Sequence, residues 1–176
     1  MEITIRKADA ADLDAVVRVY EHVHDAEEAG PAQVGWVRGV YPVRATAEAA
    51  LERSDLFVEE ADGAVVGTGI FNRLQADVYA GAPWQYDAPD DQIMVLHTLA
   101  VDPQAGKRGL GRAFAAFYEQ YAREQGCRYL RIDTNAKNAN ARRFYAGLGY
   151  REIAVRPCTF NGIGIVDLVL LEKKLD

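Results

Sequence analysis

One stretch of the sequence, residues 95–111, constrains the fold more than any other. It begins with apolar residues typical of a buried strand, reaches Asp102-Pro103, and continues as a glycine-rich turn before an amphipathic helix. The first backbone N–H groups of a helix have no partners within the helix, and the helix dipole adds partial positive charge there. Because glycine lets the backbone approach a bulky anion, this strand–turn–helix unit predicts a site for a phosphate-bearing ligand.

The spacing of the glycines excludes the common nucleotide motifs. The order is Gly106-x-x-Gly109-x-Gly111, whereas a dinucleotide fingerprint requires Gly-x-Gly-x-x-Gly. A P-loop requires Ser or Thr after Gly-Lys, and here Gly106-Lys107 is followed by Arg108. Without a ligand, the same pattern is simply a glycine-rich helix start. The preceding apolar strand and the two cations in the turn favour the ligand site.

Two motifs resemble the GNAT acetyltransferase superfamily. The strand that ends in Val101-x-Pro103, followed by Gly109-x-Gly111 and a helix, is similar to that family's coenzyme A pyrophosphate loop. Residues 138–150 resemble its Asn-x-x-Ala-x-x-x-Tyr-x-x-x-Gly-aromatic signature. Both motifs occur in the family's order and spacing. One position departs from the pattern, because Gly106 stands where the family usually has Gln or Arg.

The resemblance implies a single domain over residues 1–176, with a mixed α/β fold. We expect a mostly antiparallel sheet of about seven strands flanked by about four helices. The periodicity of the chain agrees. It predicts strands near Ile3 and Ile5 and at 56–58, 64–71, 93–101, 129–133, 150–156 and 164–171. It also predicts four helices: one that begins at Asp9 or Asp12, one from just after Thr46 to about Arg53, one from 110 to Gly126, and one in the second motif.

The resemblance also implies an activity: transfer of an acetyl group from acetyl-CoA to a primary amine, by direct attack and without a covalent enzyme intermediate. Tyr145 would protonate the departing sulfur, since a phenol with a pKa near ~10 remains a proton donor at pH 7. Its alternative role is that of a core aromatic, because it lies on the apolar stripe of its helix. The Leu99 N–H would bind the thioester carbonyl. The residues expected to contact the cofactor are Leu99, Val101, Gly106, Lys107, Arg108, Gly109, Leu110, Gly111, Arg112, Asn138, Ala141 and Tyr145.

His97 is the preferred general base, because its unperturbed pKa of ~6.5 allows it to accept a proton near neutral pH. The run from His97 to Val101 is similar to a His-x-Leu-Ala-Val segment of one branch of the superfamily, in which the histidine takes part in proton removal. The alternative is a histidine packed in the sheet. Glu28 and Asp133 are reserve candidates, and each has an alternative role as a surface or structural carboxylate.

The acceptor is the least specified part of the prediction. Loops expected on the acceptor side contribute Glu28, Trp36, Asn72, Tyr79 and Trp84 as substrate-binding candidates. Their aromatic rings suit a cation–π wall around an amine, but they would equally suit a cover for the sheet or the contact of a homodimer. Because the family acetylates small molecules as well as peptide amines, the fold does not name the acceptor.

Composition restricts the remaining classes of function. A net charge of −6 disfavours nonspecific nucleic-acid binding. No apolar run approaches the ~20 residues that span a bilayer, and no secretory signal is visible, so we expect a cytoplasmic protein. Cys127 and Cys158 are expected to be free thiols, and no metal site is expected. The alternative to an enzyme is a non-catalytic acyl-CoA-binding module.

Overall fold

A seven-stranded sheet forms the centre of the structure, a computed structural model that describes residues 1–31, 33–160 and 162–176. The strands are β1 (Ile3–Lys7), β2 (Leu56–Ala61), β3 (Ala64–Asn72), β4 (Ile93–Val101), β5 (Tyr129–Asn135), β6 (Arg151–Phe160) and β7 (Gly164–Lys174). Their order in the sheet is β1-β2-β3-β4-β5-β7-β6. Neighbouring strands are antiparallel except β4 and β5, which are parallel. The predicted mixed, mostly antiparallel sheet is confirmed.

Four α-helices flank the sheet, as predicted: α1 (Leu13–Ala29), α2 (Arg44–Glu52), α3 (Leu110–Glu124) and α4 (Ala139–Gly147). The predicted start of α2 after Thr46 is wrong. Thr46 lies inside the first turn, where its hydroxyl accepts a hydrogen bond from the Val43 N–H at 3.1 Å. Because the Thr46 hydroxyl caps α2 from within its first turn, the helix begins before Thr46 and not after it.

The last two strands are longer than predicted. The sequence indicated a strand over 150–156, but β6 continues to Phe160 and pairs with β7 through Pro157, opposite Asp167. A proline interrupts most strand patterns because it lacks an N–H, yet it is tolerated at the edge of a sheet. Since β6 is the outermost strand, Pro157 does not end it.

The two faces of the sheet carry separate apolar cores. On one face α3 and α4 pack Phe114, Tyr118 and Tyr145 against β2–β5 residues such as Leu96 and Ile132. On the other face α1 and α2 pack against alternate residues of β2, β3 and β4. Cys127 and Cys158 are both free thiols, as predicted. Within the described part of the chain, no helix has both the length and the apolar run that a membrane crossing requires.

The sheet divides in its middle, between the two parallel strands. β4 and β5 pair over four positions only, from Ile93 opposite Tyr129 to Leu96 opposite Ile132. Beyond that point β4 continues to Val101 beside β3, and β5 continues to Asn135 beside β7. The two strand ends therefore border an opening rather than each other.

Candidate active site

A cavity of about 250 Å³ lies at this opening, and we call it the central cavity. Residues from both diverging strands line it, among them His97 and Leu99 of β4 and Asp133 of β5. α4 contributes Tyr145 from the α3 side of the sheet. The cavity thus joins groups from the two faces of the sheet.

A β-bulge in β4 shapes one wall of the central cavity. Thr68 pairs with Ala100 and Ile70 pairs with His97, so two residues of β4, Thr98 and Leu99, oppose Gly69 alone. Thr98 has a positive φ of 50°, and its hydroxyl is hydrogen-bonded to the Tyr41 hydroxyl. Because a bulge leaves its extra residue out of the ladder, the backbone at Leu99 is open toward the cavity.

The glycine-rich turn, residues 102–109, connects this wall to α3. Gly106 and Gly109 have positive φ values of 81° and 74°, and a Cβ on either would have nothing within 4 Å. Gly109 is the N-cap of α3, so no side chain of that residue covers the first helical amides. The turn therefore presents an open backbone at a helix N-terminus, which is the geometry that binds phosphate.

Asp102 anchors the glycine-rich turn to the rest of the protein. Its Oδ1 accepts the Gln104 N–H at 2.8 Å, and its Oδ2 lies 2.9 Å from His22 Nδ1 on α1. The contact between His22 and Asp102 is not evident from the sequence, because the two residues are 80 positions apart and form no local pattern. Lys107, Arg108 and Arg112 are exposed around the turn, and Arg108 Nε donates to the Ala105 carbonyl at 2.8 Å.

A chain of polar contacts holds His97. Its Nε2 lies 2.7 Å from Asn72 Oδ1, which also accepts the Leu74 N–H at 3.0 Å. Asn72 Nδ2 donates to Asp55 Oδ2 at 3.0 Å. Because these contacts fix the orientation of the amide, His97 Nε2 must carry the hydrogen, and Nδ1 is left as the basic nitrogen. Burial lowers the pKa of His97, so the imidazole is neutral at pH 7.

Asp133 lines the central cavity from β5, as His97 does from β4. The two residues follow Leu96 and Ile132, the last paired positions of β4 and β5, and strand alternation directs both to the face opposite α3. The Tyr79 hydroxyl donates to Asp133 Oδ2 at 2.6 Å. Burial raises the pKa of Asp133, and the Tyr79 hydrogen bond opposes that shift by stabilising the charged form.

Tyr145 reaches the cavity from the α3 side. It is only 6% exposed, and its ring contacts Phe144 and Tyr150 edge-on. Its hydroxyl has no hydrogen-bond partner among the described residues. Burial, and then the charge of Asp133, raise the pKa of Tyr145 well above its ordinary value. The phenol therefore stays protonated at neutral pH and is a proton donor only.

The other predicted site residues fall into two groups. Trp36, Asn138 and Ala141 line the central cavity, and Asn138 also caps α4 by accepting the Ala141 N–H at 3.0 Å. Glu28 does not line the central cavity. Its carboxylate is exposed and is paired with Arg38.

Asn72 and Tyr79 do not line the cavity, but they hold His97 and Asp133. Trp84 stacks on the Arg131 guanidinium at 3.9 Å and donates to the Tyr79 carbonyl. Val101 and Leu110 pack together with Ala61 and Val66 beneath the glycine-rich turn.

A family model for the GNAT acetyltransferases matches residues 17–150, about three quarters of the chain. The chain belongs to the GNAT family of acetyltransferases. This confirms the predicted family, and with it the enzyme class and acetyl-CoA as the cofactor that GNAT proteins use. The predicted extent of the domain, residues 1–176, stays a prediction.

Solved structures of other proteins share the fold of this chain. The chain is 17% identical to Ard1 from Thermoplasma volcanium, with a TM-score of 0.74 over 100% of this chain and 99% of that one. It is 24% identical to yncA from Salmonella typhimurium, solved with its cofactor acetyl-CoA, with a TM-score of 0.70 over 100% and 95% of the two chains.

A further relative by sequence is the mycothiol acetyltransferase of Cellulomonas flavigena. It is 29% identical over 96 residues, which are 54% of this chain and 26% of that protein. The match therefore spans about a quarter of the length of that relative.

The residues of this GNAT chain fit acetyl-CoA. The open amides of the glycine-rich turn, with Lys107 and Arg112 exposed beside them, suit the pyrophosphate. The unpaired end of β4 at Leu99 and Val101 suits the pantetheine amides, which would add to it like a strand. At Gly106, where the family usually has Gln or Arg, this chain has no side chain and offers only a backbone N–H.

Proposed function

We propose that this GNAT protein transfers the acetyl group of acetyl-CoA to a primary amine bound in the central cavity. The observation that carries this proposal is the placement of a neutral imidazole, a carboxylate and a protonated phenol around one cavity at the split of β4 and β5. These are the groups that removal of a proton from an ammonium and delivery of a proton to a thiolate require.

Acetyl-CoA, when bound, supplies the acetyl thioester; the remaining steps belong to this chain. The Leu99 N–H, freed by the bulge, would donate to the carbonyl oxygen and favour the negative charge that develops there. In the overall exchange, the amine nitrogen forms a bond to the carbonyl carbon and the carbon–sulfur bond breaks.

His97 is the proposed base. The acceptor binds as an ammonium, and its nitrogen has no lone pair for attack until one proton has left. His97 Nδ1 would take that proton, directly or through water, because Asn72 keeps the other nitrogen protonated. A second proton leaves the nitrogen after the new bond has formed and, through water, restores the phenol of Tyr145, which gives its own proton to the sulfur.

Tyr145 is the proposed acid. Its hydroxyl has no hydrogen-bond partner among the residues that the structure describes, and its raised pKa keeps it protonated up to the moment of transfer. The proton would pass to the departing sulfur, which leaves as the thiol.

The test is an amine panel in which thiol release from acetyl-CoA is measured, first with the unmodified protein and then with Tyr145→Phe. Loss of a general acid lowers kcat by about 100-fold or more. The Kd for acetyl-CoA, measured by calorimetry, should not change, because the ring that packs in the core is kept. Phe144→Leu, in the same helix, is the control for packing and should keep most of kcat.

Two outcomes would contradict the proposal. Full turnover by Tyr145→Phe would remove the assigned acid. Tight binding of acetyl-CoA without turnover of any amine would instead favour a non-catalytic acyl-CoA-binding module.

A further inference from the structure

The central cavity carries charge of one sign. Among the described residues that line it there is no lysine or arginine, and Asp133 is the one carboxylate. Arg131 lies two residues earlier on the same face of β5, but its guanidinium is engaged elsewhere. It donates to Gln75 Oε1 at 2.6 Å and stacks on Trp84 at 3.9 Å. The charge of Asp133 is therefore not neutralised by a neighbouring side chain.

One of the two carboxylate oxygens of Asp133 is available to bind a ligand. Oδ2 is occupied by the Tyr79 hydroxyl, whereas Oδ1 has no hydrogen-bond partner among the described residues. Burial raises the pKa values of Tyr41, Tyr145 and Cys158, and the charge of Asp133 adds to the shift of each. A buried carboxylate with a free oxygen is a receptor for an ammonium group.

The remaining lining on the acceptor side is uncharged and mostly apolar, with neutral polar groups from Thr134 and Asn135. Trp36 and Tyr41 form one wall from the loop of residues 33–43, with their rings edge-on at a centroid distance of 6.1 Å. Phe160, Val166 and Leu168 of β6 and β7 form the opposite wall. Such walls bind an apolar or aromatic body and leave a second charge without a partner.

The central cavity is also covered. Glu27 holds the 33–43 loop by accepting the backbone N–H groups of Val34 at 2.9 Å and Gly35 at 3.0 Å. At the end of the β6–β7 hairpin, a Cβ on Gly162 would lie 2.9 Å from Val40 Cγ1, so the hairpin rests on the loop. A cavity of about 250 Å³ under this cover is smaller than the ~300–1,000 Å³ typical of drug-sized ligands.

We propose that the acceptor is a small primary monoamine with an uncharged, apolar body, whose ammonium is bound by Asp133 between the Trp36–Tyr41 wall and the β6–β7 wall. This rests on the proposed function and names its substrate class. Amino acids are disfavoured because their carboxylate would be buried beside Asp133 without a cation. Diamines and polyamines are disfavoured because the described lining holds no second carboxylate for their second ammonium.

Matched acceptors test the proposal by changing one charge at a time. The first set is 2-phenylethylamine, L-phenylalaninamide and L-phenylalanine, and the second is butylamine and 1,4-diaminobutane. We expect kcat/KM for 2-phenylethylamine to exceed that for L-phenylalanine by about 100-fold or more, with the neutral amide retaining most of the activity. Butylamine should exceed 1,4-diaminobutane in the same way. These ratios would distinguish charge from size.

The possible failures are separable. If L-phenylalanine or 1,4-diaminobutane is acetylated as well as its neutral-bodied counterpart, the substrate class is overturned while the proposed acetyl transfer stands. If acetyl-CoA binds and no amine is acetylated, including spermidine and a peptide N-terminus, both proposals are overturned.

Asp133→Asn tests the role of the carboxylate. It removes the charge with little change of shape, so kcat/KM for 2-phenylethylamine should fall by about 100-fold while the Kd for acetyl-CoA is kept. A merely structural aspartate would leave selectivity unchanged. We instead expect the preference for 2-phenylethylamine over L-phenylalanine to collapse toward unity.

One control accompanies this variant. Asp87→Asn removes an exposed charge outside the central cavity and should leave both activity and preference unchanged. An unaltered preference in Asp133→Asn would overturn the assignment.

Discussion

At the scale of single residues, Glu59 is the least expected side chain in the fold. It lies on β2, is 0% exposed, and neither carboxylate oxygen has a hydrogen-bond partner among the described residues. Its carboxylate lies against Gly67 of β3, where an added Cβ would be 2.7 Å from Glu59 Oε2. Burial raises the pKa of Glu59 to about 7. The folded protein therefore holds a proton there that the unfolded chain releases at lower pH.

This residue makes stability depend on pH. Between the ordinary pKa of 4.5 and the folded value of about 7, the folded state binds more protons than the unfolded state, so the free energy of unfolding falls as pH rises. The loss is on the order of 3 kcal/mol when complete. We expect Glu59→Gln to be more stable than the unmodified protein at pH 8.5, with little difference between them at pH 5.

Urea unfolding at both pH values measures this difference. Glu60→Gln is the matched control, because Glu60 is paired with Arg6 at 2.8 Å and should show no gain at pH 8.5. A stability difference for Glu59→Gln that is the same at both pH values would contradict the assignment of the buried proton.

At the scale of elements, the glycine-rich turn and α3 act as one unit. Gly109 has a positive φ, and the space where its Cβ would lie is open. Gly126, at the other end of α3, has a φ of 78° and equally open space. Alanine at Gly109 or at Gly126 would cost about 1–2 kcal/mol of stability, because both residues have a positive φ. Only Gly109 lies at the helix N-terminus, where an anion would contact the backbone amides.

The two glycines at the ends of α3 provide a test variant and its matched control. Gly109→Ala should weaken acetyl-CoA binding by about tenfold, because the added methyl group keeps the pyrophosphate from the first amides; that corresponds to about 1.4 kcal/mol. Gly126→Ala should lose similar stability and keep the Kd. Calorimetric titration with acetyl-CoA, together with thermal unfolding of both variants, measures the two effects. Equal losses of affinity would mean that strain, and not the anion site, is responsible.

At the scale of the whole molecule, the sequence predicted what local pattern determines. The strands, the helices and the glycine-rich turn follow from periodicity and turn residues over short ranges, and β4 was predicted at its observed bounds. The hydrogen bonds that position the site residues instead join residues far apart in the sequence. Tyr79 and Asp133 are 54 residues apart, and Asn72 and His97 are 25 apart. Because such contacts depend on how β4, β5 and their loops meet, residue spacing alone does not reveal them.

The whole sheet has one weak seam. Within the sheet, the half formed by β1–β4 and the half formed by β5–β7 are joined by strand pairing only over the short parallel ladder that ends at Leu96 and Ile132. Short ladders open more readily than the long antiparallel pairings on either side. A cofactor bound across this seam contacts both halves. It should therefore stabilise the folded state as a whole and also slow local opening on both sides.

Acetyl-CoA at about 100 times its Kd should stabilise the protein by about 2.7 kcal/mol, which raises the Tm of a chain of this size by about 5–10 °C. Hydrogen exchange locates the effect. Amides of residues 98–101 in β4 and 133–135 in β5 should exchange more slowly with acetyl-CoA, whereas β1, at the far edge of the sheet, should gain only the global protection. Slower exchange confined to the glycine-rich turn would mean that the cofactor binds α3 alone, and the bridging of the two halves would then be wrong.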